Sequence, residues 1–568
     1  MRRLQWCKPL VLGIMLMAGQ VLFAQELKDD KGYKEQLASI ESKLKSGDLA
    51  NALQSIEETL EKYPNGAEVY YAKSLLYAQA RNFDVALPAA EEAVKISPEN
   101  ILYNNHLLEL YKSKGDFASA VELLDEFIKK QPNNPQVYRE KIMMQQAGKK
   151  SEDALKTYEE TKANFGETDT VDVLKAEILM DMDRPREANE VLQQWRKKKS
   201  PIRQVYSSLS YILMDEKKPK DALNVLEEGL STTKDDLLYL DMADANMAMK
   251  KGSQAFENIK KAFQSDAVTF IDKHRVMMNL VNNNKDFTKD QLQDLANTLV
   301  LKHPRMPDSH MFKGDILWMR GDLDQAKSLY LTTVSMNPQH VDAWRKLINV
   351  ELAQNKLDEA IVDGKEALSH NPGNVIITYF VGVAYMMKKD TNNARLFLER
   401  ALDQSGNEND FVKSMIYGGL GDLYHEIKME SASEVAYDEA IKLDSNNVTV
   451  MNNAAYYLSL QKKDLEKAAE YAKKANEMEP NSGTFQDTYA WVLFQQGKYQ
   501  EALVWIEKAI KNSEPSGVLF DHYGDILIKL GKTKEALKQW EKAMTFSEGS
   551  ALDKEKLKQK ISEKKYIE

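Results

Sequence analysis

The stretch VDAWRKLINVELAQNKLDEAIVDGKEALSHNP, residues 341–372, decides the fold. Trp344, Leu347 and Leu352 recur at helical rather than alternating spacing, which predicts a first amphipathic helix. Ala360 and Ala367 lie two turns apart on a second helix, where alanine lets two antiparallel helices approach closely. Pro372 cannot continue that second helix, so the unit closes there. The stretch is one helical hairpin.

Outward from it the hairpin repeats. Ala326, Ala360 and Ala394 are 34 residues apart, and so are Pro304, Pro338 and Pro372. Upstream, Ala52, Ala86, Ala120, Ala154, Ala188 and Ala222 keep the same interval, as do Pro64, Pro98 and Pro132. Self-similarity at a fixed period marks a repeat protein rather than one conventional globular domain. In this register units begin near residues 33, 67, 101, 135, 169, 203, 236, 273, 307, 341, 375, 414, 448, 483 and 517, which makes fifteen. Gly47, Gly115, Gly321 and Gly497 fall between the two helices of their units, where glycine takes the left-handed conformation that ends a helix. Asn or Ser follows several of the closing prolines, as in PNNP, SPEN and EPNS, and caps the next first helix.

These residues resemble the tetratricopeptide repeat, with a large residue early in the first helix, small residues at the eighth and twentieth places and proline near the end. The likeness is clearest in YGGLGDLYHEIKMESASEVAYDEAIKLDSNN (417–447), DTYAWVLFQQGKYQEALVWIEKAIKNSEP (487–515) and DHYGDILIKLGKTKEALKQWEKAM (521–544), and it covers nearly all of residues 33–546. Three places depart from it. Residues 268–304 lack the twentieth-place alanine and are interrupted by NNNKDF, SGNENDF is inserted from residue 405, and Ser433 replaces the column alanine. The resulting organisation is a leader at 1–24, a linker at 25–32, seven units at 33–266 and a divergent unit at 267–306. Three units at 307–404, an inserted surface loop at 405–413, four units at 414–550 and a capping helix at 551–568 complete it. The resemblance implies an all-α solenoid winding as a right-handed superhelix, bent at the divergent unit. The tail ALDKEKLKQKISEKKYIE would seal the last repeat, with Leu552, Leu557 and Ile561 inward and its lysines in water.

Composition agrees with an all-helical chain: 43% of residues are hydrophobic, and only 15 prolines punctuate 568 positions. The first 24 residues differ. Arg2, Arg3 and Lys8 precede an apolar run over residues 9–23, and Ala24 is followed by polar QELKDDKG, the pattern of a cleaved secretory leader. The run is short for a membrane span, and no later segment is apolar enough to be one. Cys7, the only cysteine, precedes the apolar run rather than following it, so lipid anchoring is not expected and the mature chain has no disulfide. Removing Arg2, Arg3 and Lys8 takes the net charge from −10 to −13. An acidic chain without a basic stripe is not built for nucleic acid.

Nearly every residue belongs to a repeat, which leaves no room for a catalytic domain, and a non-enzyme without cofactor or metal is expected. His425 is followed by EIKM and His106 by LLEL, so no HExxH metalloprotease motif exists. His303, His340 and His370 lie near unit boundaries, about a helix diameter apart from one repeat to the next, too far for one ion. GGLG at 418–421 and LGKT at 530–533 lack the GxxxxGK[ST] spacing of a phosphate loop and read as close contacts and turns.

In the family it resembles, function is carried by the concave groove of the first helices, which holds a peptide or a partner's helix. Its second, fifth, ninth and twelfth places here supply Met180, Met214 and Met247 in three consecutive units, an adaptable apolar row. Further on come Met311, Asp315, Trp318, Arg345, Asn349, Tyr379, Met386, Tyr456, Trp491 and Phe494, interleaved with Asp422, Asp487, Asp521 and Asp525. Aromatics rimmed by carboxylates point to protein or peptide partners with basic and apolar anchors. The function expected is a protein-binding scaffold of the bacterial cell envelope, exported to the periplasm or associated with the outer membrane, as secreted bacterial proteins built only of these repeats are. An accessory subunit for a small ligand or carbohydrate is the alternative, resting on aromatics such as Trp318 and Trp491.

Overall fold

The computed structural model describes residues 30–45, 48–546 and 552–568. The leader 1–24, the linker as far as residue 29, and Gly47 lie outside them. Among the described residues there are 31 α-helices and one short 3-10 turn, with no strand. The first thirty helices form fifteen antiparallel hairpins, from Lys31–Lys45 with Leu49–Lys62 to Gly517–Lys529 with Thr533–Met544. No helix among the described residues is long and apolar enough to cross a membrane. By internal contacts the chain divides into two compact units, Met1–Val268 and Thr269–Glu568.

Each hairpin is written in its caps. Asp116 accepts from the Ser119 N–H at 3.2 Å to start the helix Phe117–Lys130, directly after Gly115 at φ 78°. Asn100, Asn134, Asn374 and Asn447 accept from the N–H groups that open their first helices. These side chains satisfy donors that helix ends otherwise leave unpaired. Where glycine is missing from the turn, Lys217, Asn355 and Lys428 adopt positive φ instead, at a local steric cost of about 1 kcal/mol each.

The alanine columns are the seams of the stack. Ala52, Ala86, Ala120, Ala154, Ala188, Ala222, Ala326, Ala360 and Ala394 are all fully buried. Ser433 fits the same column because its hydroxyl donates to the Gly421 carbonyl at 2.8 Å, which satisfies a buried polar group without leaving the helix. The eighth-place glycine does a related job. A Cβ at Gly314 would fall 2.7 Å from the Tyr330 ring, and one at Gly524 2.4 Å from Trp540. Glycine therefore lets a twenty-fourth-place aromatic lie flat on the first helix of its own unit.

The divergent unit keeps the hairpin form, pairing Phe270–Asn283 with Lys289–Lys302. Leu292, 1% exposed, takes the seam position. Within NNNKDF, Asn284 folds the turn itself: its side chain donates to the Phe287 carbonyl at 2.7 Å and accepts from the Phe287 N–H at 2.9 Å. Thr288 and Gln291 then form a reciprocal capping box.

One expectation is refined and one corrected. The insertion at 405–413 lies at the surface, with Gly406, Asn407, Asn409, Asp410 and Phe411 exposed, but it is only partly loop. Ser405–Asn407 is a 3-10 turn with Ser405 buried, and Asn409 accepts from the Val412 N–H at 3.0 Å, so the next helix starts early and spans Asp410–Glu426. The closing helix Lys554–Glu563 does turn Leu557 fully inward, but Lys560 is 2% exposed rather than solvated. The reason lies among the carboxylates of the last unit.

Candidate functional site

Three units carry a Gly-Asp pair at places eight and nine: Gly314-Asp315, Gly421-Asp422 and Gly524-Asp525. In each, the glycine admits an aromatic that stands 15 residues after the aspartate and whose polar atom reaches the acid. Tyr330 Oη donates to Asp315 Oδ1 at 2.9 Å, Tyr437 Oη to Asp422 Oδ1 at 2.5 Å, and Trp540 Nε1 to Asp525 Oδ1 at 3.1 Å. A second donor comes from the following first helix. Lys346 Nζ lies 2.7 Å from Asp315 Oδ2, Asn453 Nδ2 3.1 Å from Asp422 Oδ1, and Lys560 Nζ 2.7 Å from Asp525 Oδ2. One carboxylate thus ties both helices of its own unit to the next helix in the chain. Burial pushes the carboxyls of Asp315, Asp422 and Asp525 above the ordinary range, and at Asp525 the neighbouring Asp521 adds to it.

These acids were read from the sequence as groove residues, and the structure places them inside. Asp315 and Asp525 are buried, and Asp422 is half-buried with both donors in place. Asp487 accepts from His522 Nδ1 at 2.9 Å, and Asp521 from Lys560 at 2.8 Å. Burial disfavours the charge on His522, but Asp487, with Asp521 and Asp525 nearby, holds its pKa above the ordinary value. Every one of the five carboxylates already has a donor within the fold.

The aromatics divide. Trp491 and Phe494 are 7% and 4% exposed and belong to the core of the last units. Their rings stack 4.8 Å apart at 10°, and the His522 imidazole also stacks on Trp491 at 4.1 Å. Met311 is buried as well. The methionine row is only half-buried, and Met180 and Met214 pack against the core containing Val173, Leu209 and Leu226. Arg345 is spoken for by Asp342, with Nε at 3.0 Å from Oδ1. At Trp491 and Phe494 the ninth and twelfth places are buried because neighbouring units close over them, as the His522 ring does on Trp491, which periodicity within one helix does not reveal.

What stays available is a smaller set on the first helices of Thr269–Glu568. Trp318, Asn349, Tyr379, Met386 and Tyr456 are half-buried, and none has a side-chain polar partner among the described residues. Tyr379 lies over Gly419, where a Cβ would sit 3.0 Å from its ring, and burial with Asp422 nearby pushes its hydroxyl up to about 12. At neutral pH it is a neutral donor.

The histidines serve the fold. His274 and His340 converge on Asp308 at 3.1 and 2.8 Å, and His340 Nδ1 also accepts from the Ala343 N–H to cap the next helix. Burial works against the Asp308 charge, yet the two imidazoles hold it below the usual carboxylate range. His370 stacks on Trp344 at 6.5 Å, and the His303 ring packs edge-on to Phe270. In Met1–Val268, His106 lies 2.8 Å from the Ser74 hydroxyl, and burial lowers its pKa to about 4.

Sequence reading missed Lys560, Lys346, Asn453 and the aromatics at 330, 437 and 540. The signal was present, as a Gly-Asp pair followed 15 residues later by Tyr or Trp.

Models described as tetratricopeptide repeat match residues 37–101, 313–363 and 416–447, and a model described as anaphase-promoting complex, cyclosome, subunit 3 matches 461–543. Anaphase-promoting complex subunit 3 of Schizosaccharomyces pombe is 27% identical over 124 residues, 21% of this chain and 18% of that protein. The aligned part thus spans less than a fifth of that relative's length. Among solved structures, a tetratricopeptide repeat protein from Parabacteroides merdae is 19% identical, with 45% of this chain and 98% of that one covered at a TM-score of 0.35. The anaphase-promoting complex hetero-tetramer Cut9-Hcn1 is 14% identical, with 81% and 96% covered at a TM-score of 0.39. The matched stretches fall in both compact units, so the chain carries tetratricopeptide repeats in each of them.

Proposed function

We propose that this chain is a non-enzymatic scaffold that captures a protein partner on the first-helix face between residues 307 and 461. The observation that carries this reading is the set Trp318, Asn349, Tyr379, Met386 and Tyr456, large or polar side chains that water reaches and that no side-chain polar contact among the described residues uses. Three aromatics, a methionine and one free amide suit a partner segment with apolar anchors and a few main-chain hydrogen bonds. The relative in Schizosaccharomyces pombe is by name a subunit of a complex, which supports an assembly role.

A photo-crosslinking amino acid placed at Tyr379, and in a second variant at the exposed Val362, tests the face. Crosslinks to one recurring protein from Tyr379, lost on adding Tyr456→Ala while circular dichroism stays helical, are expected. Equal crosslinking from both positions would sink the assignment. We further propose that the chain is exported, on the pattern of residues 1–24. Fusing those residues to an alkaline phosphatase that works only after export is the direct check, and an inactive fusion would place the scaffold inside the cell.

A further inference from the structure

The C-terminal segment is held in two unequal ways. Its helix Lys554–Glu563 packs as if it opened a sixteenth unit: Leu557 is fully buried, and Lys560, 3% exposed at its side chain, bonds both Asp521 and Asp525. Lys564 then turns the chain through φ 52°, and the last residues run back over first helices of three successive units. The Lys529 ammonium of the last unit stands 4.7 Å above the Tyr566 ring. That ring meets Phe494 of the preceding unit edge-on at 5.2 Å and 63°. One unit further back, Lys462 pairs with the Glu568 carboxylate.

The second hold is the lesser of the two. Lys462 and Glu568 are 46% and 71% exposed at their side chains, and exposed ion pairs contribute little to stability. Tyr566 is half-buried, and Lys564 and Lys565 are exposed. Tyr566 rests on the core of the last units, with the Lys560 ammonium also 5.7 Å from its ring, so the hold on residues 564–568 is one ring and one exposed ion pair. Beneath them is a seat made of the Phe494 edge, the Tyr499 ring 5.3 Å from it, and two ammonium groups, Lys529 and Lys462. An aromatic side chain on Phe494 and Lys529, with a carboxylate two residues on, is the pattern that satisfies all four groups.

We propose that residues 564–568 are an intramolecular occupant of this seat, and that its other ligand is a partner segment of the form aromatic-x-acid. The seat is separate from the face between residues 307 and 461, so either can fail without the other. The chain's own tail holds the seat closed in the absence of partner, and the partner competes with a tethered rival.

The test uses the fluorescent peptide KKYIE and fluorescence polarisation. The full chain and a chain ending at Glu563 are compared, and the truncated chain should bind about ten-fold or more tightly, since a tethered segment depresses the apparent affinity of any competitor. Peptide KKAIE, or the charge reversals Lys462→Glu and Lys529→Glu in the truncated chain, should abolish binding. Should truncation lower the melting temperature, the full-length double variant Tyr566→Ala, Glu568→Lys opens the seat with the helix intact and should bind the peptide equally well. Equal binding to full and opened chains, no binding to either, or indifference to the Tyr-to-Ala change in the peptide overturns the proposal. So does a full-length dimer that becomes monomeric on truncation, because the tail would then occupy a second copy.

Discussion

At the scale of single residues, buried polar groups decide more than exposed ones. Lys560 is the clearest case, one ammonium neutralising two carboxylates that sit 20% and 1% exposed. Replacing it with methionine preserves length but leaves Asp525 buried without its cation, at a cost of about 3 kcal/mol at neutral pH. Without the cation the folded-state pKa of Asp525 rises further above its unfolded value. A carboxyl raised in this way loses stability as pH increases through its folded pKa, so the deficit against the parent chain should shrink from pH 7.5 to pH 5. Urea unfolding at the two pH values checks this, and a deficit independent of pH contradicts it. His106 has the opposite linkage. Its pKa is lowered to about 4 by burial against an ordinary value of 6.5, so the stability it carries is complete above 6.5 and is lost as pH falls toward 4. His106→Gln should flatten the pH dependence of stability over that window by on the order of 2 kcal/mol, read from the melting of Met1–Val268. Residues such as Asp315 and Asp525 were legible as notable but not as buried. Their environment depends on a ring that arrives from another helix, and a single-helix pattern does not carry that information.

At the scale of the helical hairpin, the sequence is nearly sufficient. Alanine and proline columns place the seams and the joints, and the helices begin within a few residues of the expected starts because Asp, Asn and Ser caps fix them. Ala360, fully buried between its two helices, marks how closely they approach. Ala360→Trp should overpack this seam and destabilise by about 1–3 kcal/mol, seen as a lower midpoint in urea unfolding. An unchanged midpoint would mean that the register is wrong. The failures at this scale are instructive. SGNENDF looked like a loop because it breaks the 34-residue interval, yet Asn409 caps a longer helix from within it. Trp491 and Phe494 looked like groove aromatics because they occupy the ninth and twelfth places of a first helix. The His522 ring and the Tyr566 ring cover them from other units, and replacing both with alanine would test the core rather than binding.

At the scale of the whole chain, stability is a sum over neighbours, because each hairpin meets only the ones before and after it in such an array. Scanning calorimetry of the full chain should accordingly give a calorimetric enthalpy larger than the van't Hoff enthalpy, as long repeat arrays lose all-or-none behaviour. A ratio of one would mean that fifteen hairpins unfold as a single cooperative body. The periodicity that made the number of hairpins readable is silent about function, since the five available side chains at Trp318, Asn349, Tyr379, Met386 and Tyr456 differ from buried ones at equivalent places only in what the next unit puts over them. The Gly-Asp ties have a consequence for how such a chain can change over time. Repeat arrays grow and shrink by duplicating or dropping whole units, and a drop that keeps every seam is structurally silent if units are interchangeable. Here they are not. Loss of residues 341–374 would bring Phe380, rather than Lys346, to the sixth place beside Asp315, leaving a buried carboxylate facing a ring that cannot donate to it. Asp315, Asp422 and Asp525 thus fix which unit follows which, and they turn a string of similar parts into a sentence with a word order.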